Sequence, residues 1–357
     1  MATDRLISPQ SPDTATPQGA AEAETNWALR PECIEEYVGQ PDLIERLSIA
    51  IAAARDRGDP LEHLLLHGPP GLGKTTLAHV VAHELGTKVY TTSGPALARG
   101  TDLVGALTRL NQGDILFIDE IHRLPIAVEE FIYPAMEDFK IDVPLDTGLN
   151  ARTVQIRCKP FTLIGATTRA GLLSAPLRSR FGLAHHLRYY SAADLHRILE
   201  RSCRLLELKQ SVGGPGGDDG LGSIATRSRG TPRIANRLLR RARDYAQVRG
   251  DGTVSGEVVE RALQLEGVDA LGLDELDRSY LRIIGTVYDG GPVGLEAVAA
   301  TMNEDSGTLE DVVEPYLLQI RFLARTRRGR MLTQAGADHL GGGVKAKPDS
   351  PDNGLFE

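Results

Sequence analysis

A glycine-rich stretch of the sequence, HGPPGLGKTTLAHVV at residues 67–81, has the spacing of a phosphate-binding loop. It fits the pattern G-x-x-x-x-G-K-[ST], in which glycines allow backbone N–H groups to close around phosphate oxygens. The lysine of this pattern reaches the terminal phosphates, and the next hydroxyl binds Mg²⁺. The pattern predicts a site for a nucleoside triphosphate; the alternative is a plain Gly-Pro turn between a strand and a helix. The residues predicted to bind the nucleotide are Gly71, Gly73, Lys74, Thr75 and Thr76.

An acidic strand end, in ILFIDEIHRL at residues 115–124, supplies the second half of such a site. Four apolar residues predict a buried strand, and Asp119 at its end is placed to bind Mg²⁺ together with Thr75. Glu120 is placed to polarise a water molecule for attack on the γ-phosphate. The alternative is an acidic strand end that caps a helix. His122 completes a DEAH-like motif, but the other motifs of such helicases are not evident, so we assign it no catalytic role.

Three further signals indicate hydrolysis rather than binding alone. In SAPLRSRFG, Arg180 is the candidate for a guanidinium that stabilises the phosphoryl-transfer transition state, an effect worth about 10³ to 10⁵ in rate; Arg178 is the alternative. Thr168, at the end of a predicted strand, is placed to orient the attacking water. Arg233 opens a helix in GTPRIANRLLRR and is placed to contact the γ-phosphate. Each signal alone is weak, but their order and spacing make the set specific.

The elements that must position these residues follow from the apolar pattern. LEHLLLHG, ILFIDE and FTLIGATT are short apolar runs separated by helical patterns such as KTTLAHVVAHEL. This alternation predicts an α/β fold with a parallel sheet flanked by helices. After Tyr190 the pattern is only helical, which predicts a small helical domain. A last unit begins near Asp269 and ends in FLARTRRGRMLT, where two β-prone runs flank an Arg-Gly turn.

The composition limits the class of protein. The chain has 357 residues and a formal net charge of -8, which argues against a protein that coats nucleic acid through its overall charge. Arginine-rich segments at residues 227–243 and 321–330 remain as local patches. The start of the sequence lacks a secretory signal and no run of about 18 apolar residues occurs, so we expect a cytoplasmic protein without membrane association. The three cysteines show no metal-ligand spacing.

Five motifs occur in the order typical of the AAA+ ATPases: HGPPGLGKTTLA, ILFIDEIHRL, FTLIGATTRAG, PLRSRFG and GTPRIANRLLRR. Together they resemble the RuvB family, the motors of Holliday junction branch migration. LRPECIEEYVGQ, the pair MEDFKIDV and ARTVQI, and EPYLLQIRFLARTRRGRMLT also match that family. The resemblance covers about residues 26–340, which is nearly all of the chain.

The resemblance implies a fold, an activity and an assembly. We expect an AAA+ P-loop ATPase core, a small helical lid domain and a C-terminal winged-helix domain, with ATP and Mg²⁺ as cofactors. The implied assembly is a homo-hexamer around double-stranded DNA at Holliday junctions, acting in recombination and DNA repair with a RuvA-like partner; a RuvC-like resolvase is a further candidate partner. The expected ranges are a disordered tail at 1–25, the ATPase domain at 26–190, the lid at 191–268, the winged helix at 269–342 and a second tail at 343–357.

The resemblance also assigns roles around the nucleotide. Thr168 matches the family's first sensor and Arg233 its second. The residues that match the adenine pocket are Leu29, Arg30 and Tyr190, and those that match positions near the nucleotide are Glu137, Asp138 and Phe139.

A segment between the acidic strand and GATTR, EDFKIDVPLDTGLNARTVQIRCKPF, predicts a β-hairpin because two alternating runs flank a glycine-containing turn. A plain extension of the sheet is the alternative role. The resemblance implies that the hairpin contacts a RuvA-like partner through Leu145, Val154 and Ile156. Pro144 and Leu149 near the tip depart from the family pattern.

The arginines of RTRRGR lie in the predicted wing of the last domain. Arg325 and Arg330 match the family's DNA-contacting pair, and phosphate contacts of this kind give affinity without reading sequence. Arg327 stands where the family commonly has proline, and Arg321 adds another charge. The alternative is an arginine-rich hairpin held by local acids.

Two functions of different classes remain open on the sequence. The first is an ATP-driven DNA translocase, and the second is an AAA+ scaffold or clamp-loader-type switch that binds protein partners. The predicted winged helix discriminates between them, because clamp loaders carry a helical collar after the small domain.

Overall fold

The first of two compact units is built on a parallel sheet. The computed structural model describes residues 27–144, 153–210 and 219–341, and contacts divide the chain between Leu205 and Leu206. The sheet has five strands in the order β2-β3-β6-β1-β7, and all neighbours are parallel. The strands are β1 (Leu64–His67), β2 (Val89–Ser93), β3 (Ile115–Asp119), β6 (Thr162–Thr167) and β7 (Leu183–His186).

The carboxyl edge of this sheet gathers the motifs. β6 is buried along its whole length and β3 is buried up to Asp119, as expected for central strands covered on both faces. Because parallel strands end at the same edge, the loop after β1, the acidic end of β3 and the threonines at the end of β6 lie along that edge. The parallel sheet therefore places the predicted phosphate-loop, acidic and threonine motifs along one edge.

Helices cover the sheet. Ile118 and Phe161 share one hydrophobic core with Leu103 of α3 (Gly100–Thr108) and Ile132 of α4 (Ile126–Asp138). Contacts place α6 (Ala192–Leu205) in the first unit, although it lies within the range expected for the lid. The expected domain boundaries stay a prediction. The helices are α1 (Pro41–Arg57), α2 (Lys74–Leu85), α3 (Gly100–Thr108), α4 (Ile126–Asp138), α5 (Ala175–Ser179) and α6 (Ala192–Leu205).

The expected hairpin is formed by two antiparallel strands, β4 (Lys140–Pro144) and β5 (Thr153–Arg157). Ile156 pairs with the buried Ile141, whereas the neighbouring Val154 is 43% exposed. The strands belong to a separate two-stranded sheet, so they do not extend the parallel sheet. Leu145 and Leu149, at the predicted tip, lie outside the described residues.

The second unit contains a helical part and a hairpin part. Its short strands β8 (Lys209–Gln210) and β9 (Thr253–Val254) pair in parallel. Near the end of the described residues, β10 (Leu323–Thr326) and β11 (Gly329–Leu332) form an antiparallel hairpin, and Val293 makes an isolated antiparallel bridge to Arg330. The helices are α7 (Gly220–Arg227), α8 (Pro232–Arg249), α9 (Gly256–Leu265), α10 (Glu275–Thr286), α11 (Leu295–Met302), α12 (Glu314–Gln319) and α13 (Gln334–Leu340), with a π-helical segment, Leu309–Val313, before α12.

A buried arginine joins the two parts of the second unit. Arg229 is 8% exposed; its Nε donates to the Gly272 carbonyl at 2.7 Å, and its Nη2 lies 3.2 Å from Asp274 and bonds to Asp277. Its guanidinium also lies 5.2 Å from the ring of Tyr316. Because a buried charge must be paired, these contacts hold the segment between α7 and α8, which carries Arg229, against the start of α10.

Two expectations concern the chain as a whole. Across residues 27–144, 153–210 and 219–341, no helix has the length and apolar character needed to cross a membrane. Cys33, Cys158 and Cys203 are free thiols, and only Cys203 is fully buried.

Candidate functional site

The loop after β1 has the backbone of a phosphate cradle. Gly68 and Gly73 adopt φ values of 139° and 95°, which side chains rarely tolerate, and a Cβ on Gly68 would lie 2.6 Å from the Leu187 carbonyl oxygen. Gly73 caps α2, so the free N–H groups of the first helical turn face the loop. A helix N-terminus with these exposed donors attracts phosphate.

The lysine of the loop is held inside it. Lys74 is 8% exposed, and its Nζ donates to the carbonyl oxygens of Gly68 at 2.7 Å and Pro69 at 2.8 Å. These neutral acceptors keep the ammonium group at the mouth of the loop. A phosphate with negative charge is a stronger acceptor than either carbonyl, so the lysine is preorganised for exchange.

At the end of β3 the two acids have different surroundings. Asp119 accepts a hydrogen bond from the Glu120 backbone N–H at 2.9 Å, and Glu120 has a φ of 47°. The Glu120 carboxylate pairs with Arg123 at 2.9 Å, with the two side chains 47% and 59% exposed. Exposed pairs of this kind are worth little, so the pair is easily opened. The sequence placed Glu120 correctly at the strand end but did not reveal Arg123 as its partner.

A second contact crosses the same edge. Thr167, the buried last residue of β6, lies 2.9 Å through its Oγ1 from His122 Nδ1 and accepts a hydrogen bond from the Arg169 backbone N–H at 3.0 Å. The predicted water-orienting residue, Thr168, follows directly and is half-buried. His122, which had no predicted catalytic role, therefore connects the acidic motif to the threonine motif. Its only sequence signal was its place in DEIH.

Part of the expected adenine pocket is attached to the phosphate loop. The Tyr190 hydroxyl lies 3.3 Å from the Leu72 carbonyl oxygen and 3.1 Å from the Tyr37 hydroxyl. Burial raises the pKa of both phenols, so both stay protonated. The backbone carbonyls of Leu29 and Arg30 accept hydrogen bonds from the guanidinium of Arg201, on α6, at 2.8 and 3.3 Å. Tyr37 was not among the predicted residues.

Arg180 lies against α4. Its Nη2 is 3.0 Å from Glu137 Oε1, its Nη1 donates to the Pro176 carbonyl at 2.7 Å, and its guanidinium lies 4.3 Å from the centre of the Tyr133 ring. The structure thus brings together Arg180 and Glu137, two of the predicted site residues. Phe139, which follows α4 with a φ of 54°, packs its ring on Phe161.

The alternative arginine has a different environment. Arg178 is exposed and lies near His67, where it helps to lower the pKa of that imidazole, after the larger effects of burial and of His186. Arg178 and Arg180 therefore point to different neighbours. In the second unit, Arg233 is exposed in the first turn of α8, after the Pro232 that begins the helix.

The predicted DNA-contacting arginines share one buried acid. Glu314 is fully buried and accepts hydrogen bonds from Arg325 Nε at 2.8 Å, from Arg330 Nε at 2.8 Å and from the Tyr280 hydroxyl. Burial favours a higher pKa for Glu314, but the bonds from Arg330, Tyr280 and Arg325 outweigh it and lower the pKa. Glu310 lies 3.6 Å from Arg325. The wing thus has the local acids that the sequence left open as an alternative.

The tip of the wing differs from its base. Arg327 and Arg328 occupy the two-residue turn between β10 and β11, and both are exposed. Neither of these side chains has an ion pair within the part of the chain that the structure describes. Arg321, which precedes the hairpin, is also exposed and has a φ of 60°.

A phosphate loop at the carboxyl edge of a parallel sheet, with an acidic strand end beside it, defines a P-loop ATPase, and here a winged helix follows the helical part. The chain belongs to the RuvB family. Residues 29–187 match the Holliday junction DNA helicase RuvB P-loop domain, residues 190–269 the RuvB AAA lid domain, and residues 270–341 the RuvB C-terminal winged helix domain. The expected family and fold class are confirmed, and the chain is an AAA+ ATPase that binds nucleotide.

Individual relatives match over nearly their whole length. The Holliday junction branch migration complex subunit RuvB of Desulfosudis oleivorans is 54% identical over 333 residues, which is 93% of this chain and 95% of the relative. The protein of the same name from Kosmotoga olearia is 51% identical over 326 residues, or 91% and 94%. A solved structure of Thermotoga maritima RuvB, a Holliday junction branch migration motor, superposes with a TM-score of 0.78 at 47% identity and covers 88% of this chain and 98% of that chain.

Proposed function

We propose that this protein is an ATP-dependent DNA translocase that drives branch migration of Holliday junctions in homologous recombination and DNA repair. The observation that carries the proposal is the combination of a nucleotide edge in the first unit with an arginine-bearing wing in the second. The working form is a homo-hexameric ring around duplex DNA in the cytoplasm. Its partners are a RuvA-like junction-binding protein and, as a further candidate, a RuvC-like resolvase.

The nucleotide edge supports a division of roles. Lys74 binds the terminal phosphates, and Thr75 and Asp119 hold Mg²⁺. A hydroxyl and a carboxylate are hard oxygen donors, and Mg²⁺ normally completes its shell with water and phosphate oxygens. This donor set therefore fits Mg²⁺ that arrives with the nucleotide. The bound ion would neutralise charge that develops on the phosphates.

The remaining site residues act on the water and the transition state. Glu120 polarises the attacking water once its exposed pair with Arg123 opens, and Thr168 orients that water. Arg180 of one subunit stabilises the charge on the nucleotide of its neighbour, and Arg233 senses the nucleotide state. Gly71, Gly73 and Thr76 shape the phosphate loop, Leu29, Arg30 and Tyr190 hold the adenine, and Glu137, Asp138 and Phe139 lie near the nucleotide.

The hairpin is the proposed site for the RuvA-like partner. Val154 is exposed on β5, so its apolar side chain is accessible to a partner surface. Ile156 is half-buried on the same strand, and Leu145 belongs to the proposed contact by resemblance. Replacing Val154 by a charged residue should weaken partner binding and leave ATP binding unchanged.

One assay tests the proposed function directly. ATP-dependent movement of a synthetic four-way junction is measured with and without a RuvA-like protein. Movement that requires ATP and is stimulated by the partner supports the translocase. If duplex DNA stimulates hydrolysis only when a sliding clamp is present, the protein is a clamp-loader-type switch instead.

Replacing Glu120 by glutamine should leave ATP bound and reduce hydrolysis by about 10² to 10⁴, because only general base catalysis is lost. ATP affinity and steady-state phosphate release are measured on the same protein. The matched control is Arg123→Ala, which removes the same ion pair but keeps the carboxylate, and should retain turnover. Normal turnover in Glu120→Gln would show that another group activates the water.

Replacing both Arg325 and Arg330 by alanine should weaken duplex binding equally on every sequence. The slope of the logarithm of the binding constant against the logarithm of the salt concentration should become shallower by about two, one unit for each lost phosphate contact. Because Glu314 would remain buried without its cationic partners, the variant should also melt at a lower temperature. Anisotropy with two unrelated duplexes over a salt series and thermal melting provide the measurements.

The tip arginines give the comparison for this result. Arg327→Ala with Arg328→Ala removes two exposed charges without removing any partner of Glu314, so it should reduce the salt slope with no loss of thermal stability. Arg249→Ala with Arg261→Ala, on α8 and α9, removes two exposed charges outside the wing and controls for net charge. If the loss of affinity differs between the two duplexes, the arginines read bases. If only the Arg327 and Arg328 variant changes the salt slope, Arg325 and Arg330 have a structural role and do not contact phosphate.

A further inference from the structure

One face of α4 carries a row of polar side chains that ends at Arg180. Glu129, Tyr133 and Glu137 are four residues apart, so they project from the same side of the helix. Tyr133 and Glu137 both contact the Arg180 guanidinium, the first through its ring at 4.3 Å and the second through Oε1 at 3.0 Å. The nucleotide chemistry described above uses neither Glu129 nor Tyr133.

The tyrosine ring is anchored from behind. The Tyr133 hydroxyl donates to Glu129 Oε2 at 2.8 Å, and the Ser174 hydroxyl donates to the same oxygen at 2.6 Å. Glu129 is only 5% exposed, and Ser174 caps α5 by accepting from the Leu177 N–H at 3.2 Å. One buried carboxylate therefore fixes both the ring and the start of the short helix that leads to Arg180.

The guanidinium is held without using all of its donors. One nitrogen of Arg180 donates to the Pro176 carbonyl and another pairs with Glu137. Its Nε is buried and has no hydrogen-bond partner within the described part of the chain, and the whole side chain is 23% exposed. A cation on an aromatic face keeps its charge available, whereas a carboxylate partner competes directly with an incoming phosphate.

We propose that Tyr133 is a positioning residue that holds the Arg180 guanidinium for the nucleotide of the neighbouring subunit. This rests on the proposed function, in which Arg180 acts across the subunit interface. The ring fixes the plane of the guanidinium, and Glu137 is the counter-ion that releases it when the phosphate arrives. Since Arg180 acts on the transition state, a misplaced guanidinium lowers kcat and leaves ATP affinity unchanged.

Two substitutions separate the ring from the rest of the side chain. Tyr133→Leu removes the aromatic face and should lower kcat about tenfold, the size expected for a partly desolvated cation–π contact. Tyr133→Phe keeps the ring and should stay within about twofold of the unaltered protein. In an Arg180→Ala background, Tyr133→Leu should cause no further loss, because the two changes then remove the same effect. Tyr133→Met, of similar size and without a ring, is measured in parallel in case the leucine variant is unstable.

A mixed-subunit assay assigns the effect to the donating subunit. Lys74→Ala subunits, which still carry Arg180, are mixed with Arg180→Ala subunits, and the restored hydrolysis is measured. Adding Tyr133→Leu to the Lys74→Ala chain should reduce this rescue about tenfold, whereas adding Tyr133→Phe should preserve it. Equal rescue with and without Tyr133→Leu overturns the role of Tyr133. Full hydrolysis by Arg180→Ala alone overturns the proposed role of Arg180 itself, and the proposal falls with it.

Discussion

Replacing Lys74 by alanine is expected to abolish ATP binding, with a loss of affinity of at least about 100-fold. A hydrogen bond to a charged group contributes about 1.5 to 3 kcal/mol, and about 1.4 kcal/mol corresponds to a tenfold change in affinity. The loss of two such bonds, to the two terminal phosphates, therefore corresponds to about 100-fold or more. Lys74 provides the ammonium group at the mouth of the loop, and its Nζ also holds the carbonyls of Gly68 and Pro69 at 2.7 and 2.8 Å. The variant therefore loses both the phosphate contact and the bonds that order the loop.

Calorimetric titration with ATP and with a non-hydrolysable analogue measures this loss. Lys88→Ala is the matched control, because it removes the same charge from an exposed position between α2 and β2. A melting curve close to that of the unaltered chain is expected for both variants, since the substitution at the loop leaves the hydrophobic core intact. Unchanged ATP affinity in Lys74→Ala would remove the basis of the proposed function.

The nucleotide edge could be predicted from the sequence because its signals are local. The phosphate loop needs a fixed spacing of glycines before Lys74, and Asp119 follows directly on a buried apolar run. Short apolar runs that alternate with helical patterns determine a parallel sheet, and a parallel sheet brings the ends of its strands to one edge. No knowledge of side-chain contacts was required for these steps.

The partners of these residues could not be predicted in the same way. His122 and Thr167 are 45 residues apart, and they meet because β3 and β6 happen to be neighbours in the sheet. Glu314 lies 11 residues before Arg325, in a helix whose sequence does not indicate that this acid is buried. A charge pattern gives the sign of a surface, but pairing depends on which elements pack together.

The row on α4 is an intermediate case. A spacing of four residues in Glu129, Tyr133 and Glu137 is visible in the sequence and predicts one helical face. What that face contacts depends on where the chain returns after β6. Arg180 lies 43 residues beyond Glu137, and no local signal names it as the target. The shared helical face could therefore be predicted from the sequence, whereas its contact with Arg180 could be identified only from the structure.

Replacing Arg180 by alanine should preserve ATP binding and reduce hydrolysis by about 10³ to 10⁵, the range found for an arginine delivered to the γ-phosphate. The loss falls on turnover because the guanidinium stabilises charge that develops only in the transition state. ATP affinity is measured by titration and hydrolysis by phosphate release, with Arg178→Ala as the control on the same short segment. Arg178 lies near His67 rather than Glu137, so its removal should have a much smaller effect.

The decisive test of Arg180 is complementation between subunits. If Lys74 and Arg180 of one active site belong to different chains, Lys74→Ala subunits supply a competent arginine to Arg180→Ala subunits, whose phosphate loops are intact. Mixing the two inactive variants should then restore turnover at the mixed interfaces, to a fraction set by how often the two chains are neighbours. A mixture that forms mixed rings but hydrolyses no more ATP than the sum of its parts would place Arg180 in its own subunit's site, or would transfer the role to Arg178. Native mass spectrometry of differently tagged subunits establishes that the mixed rings form. An absence of turnover then cannot result from a failure of the two variants to assemble.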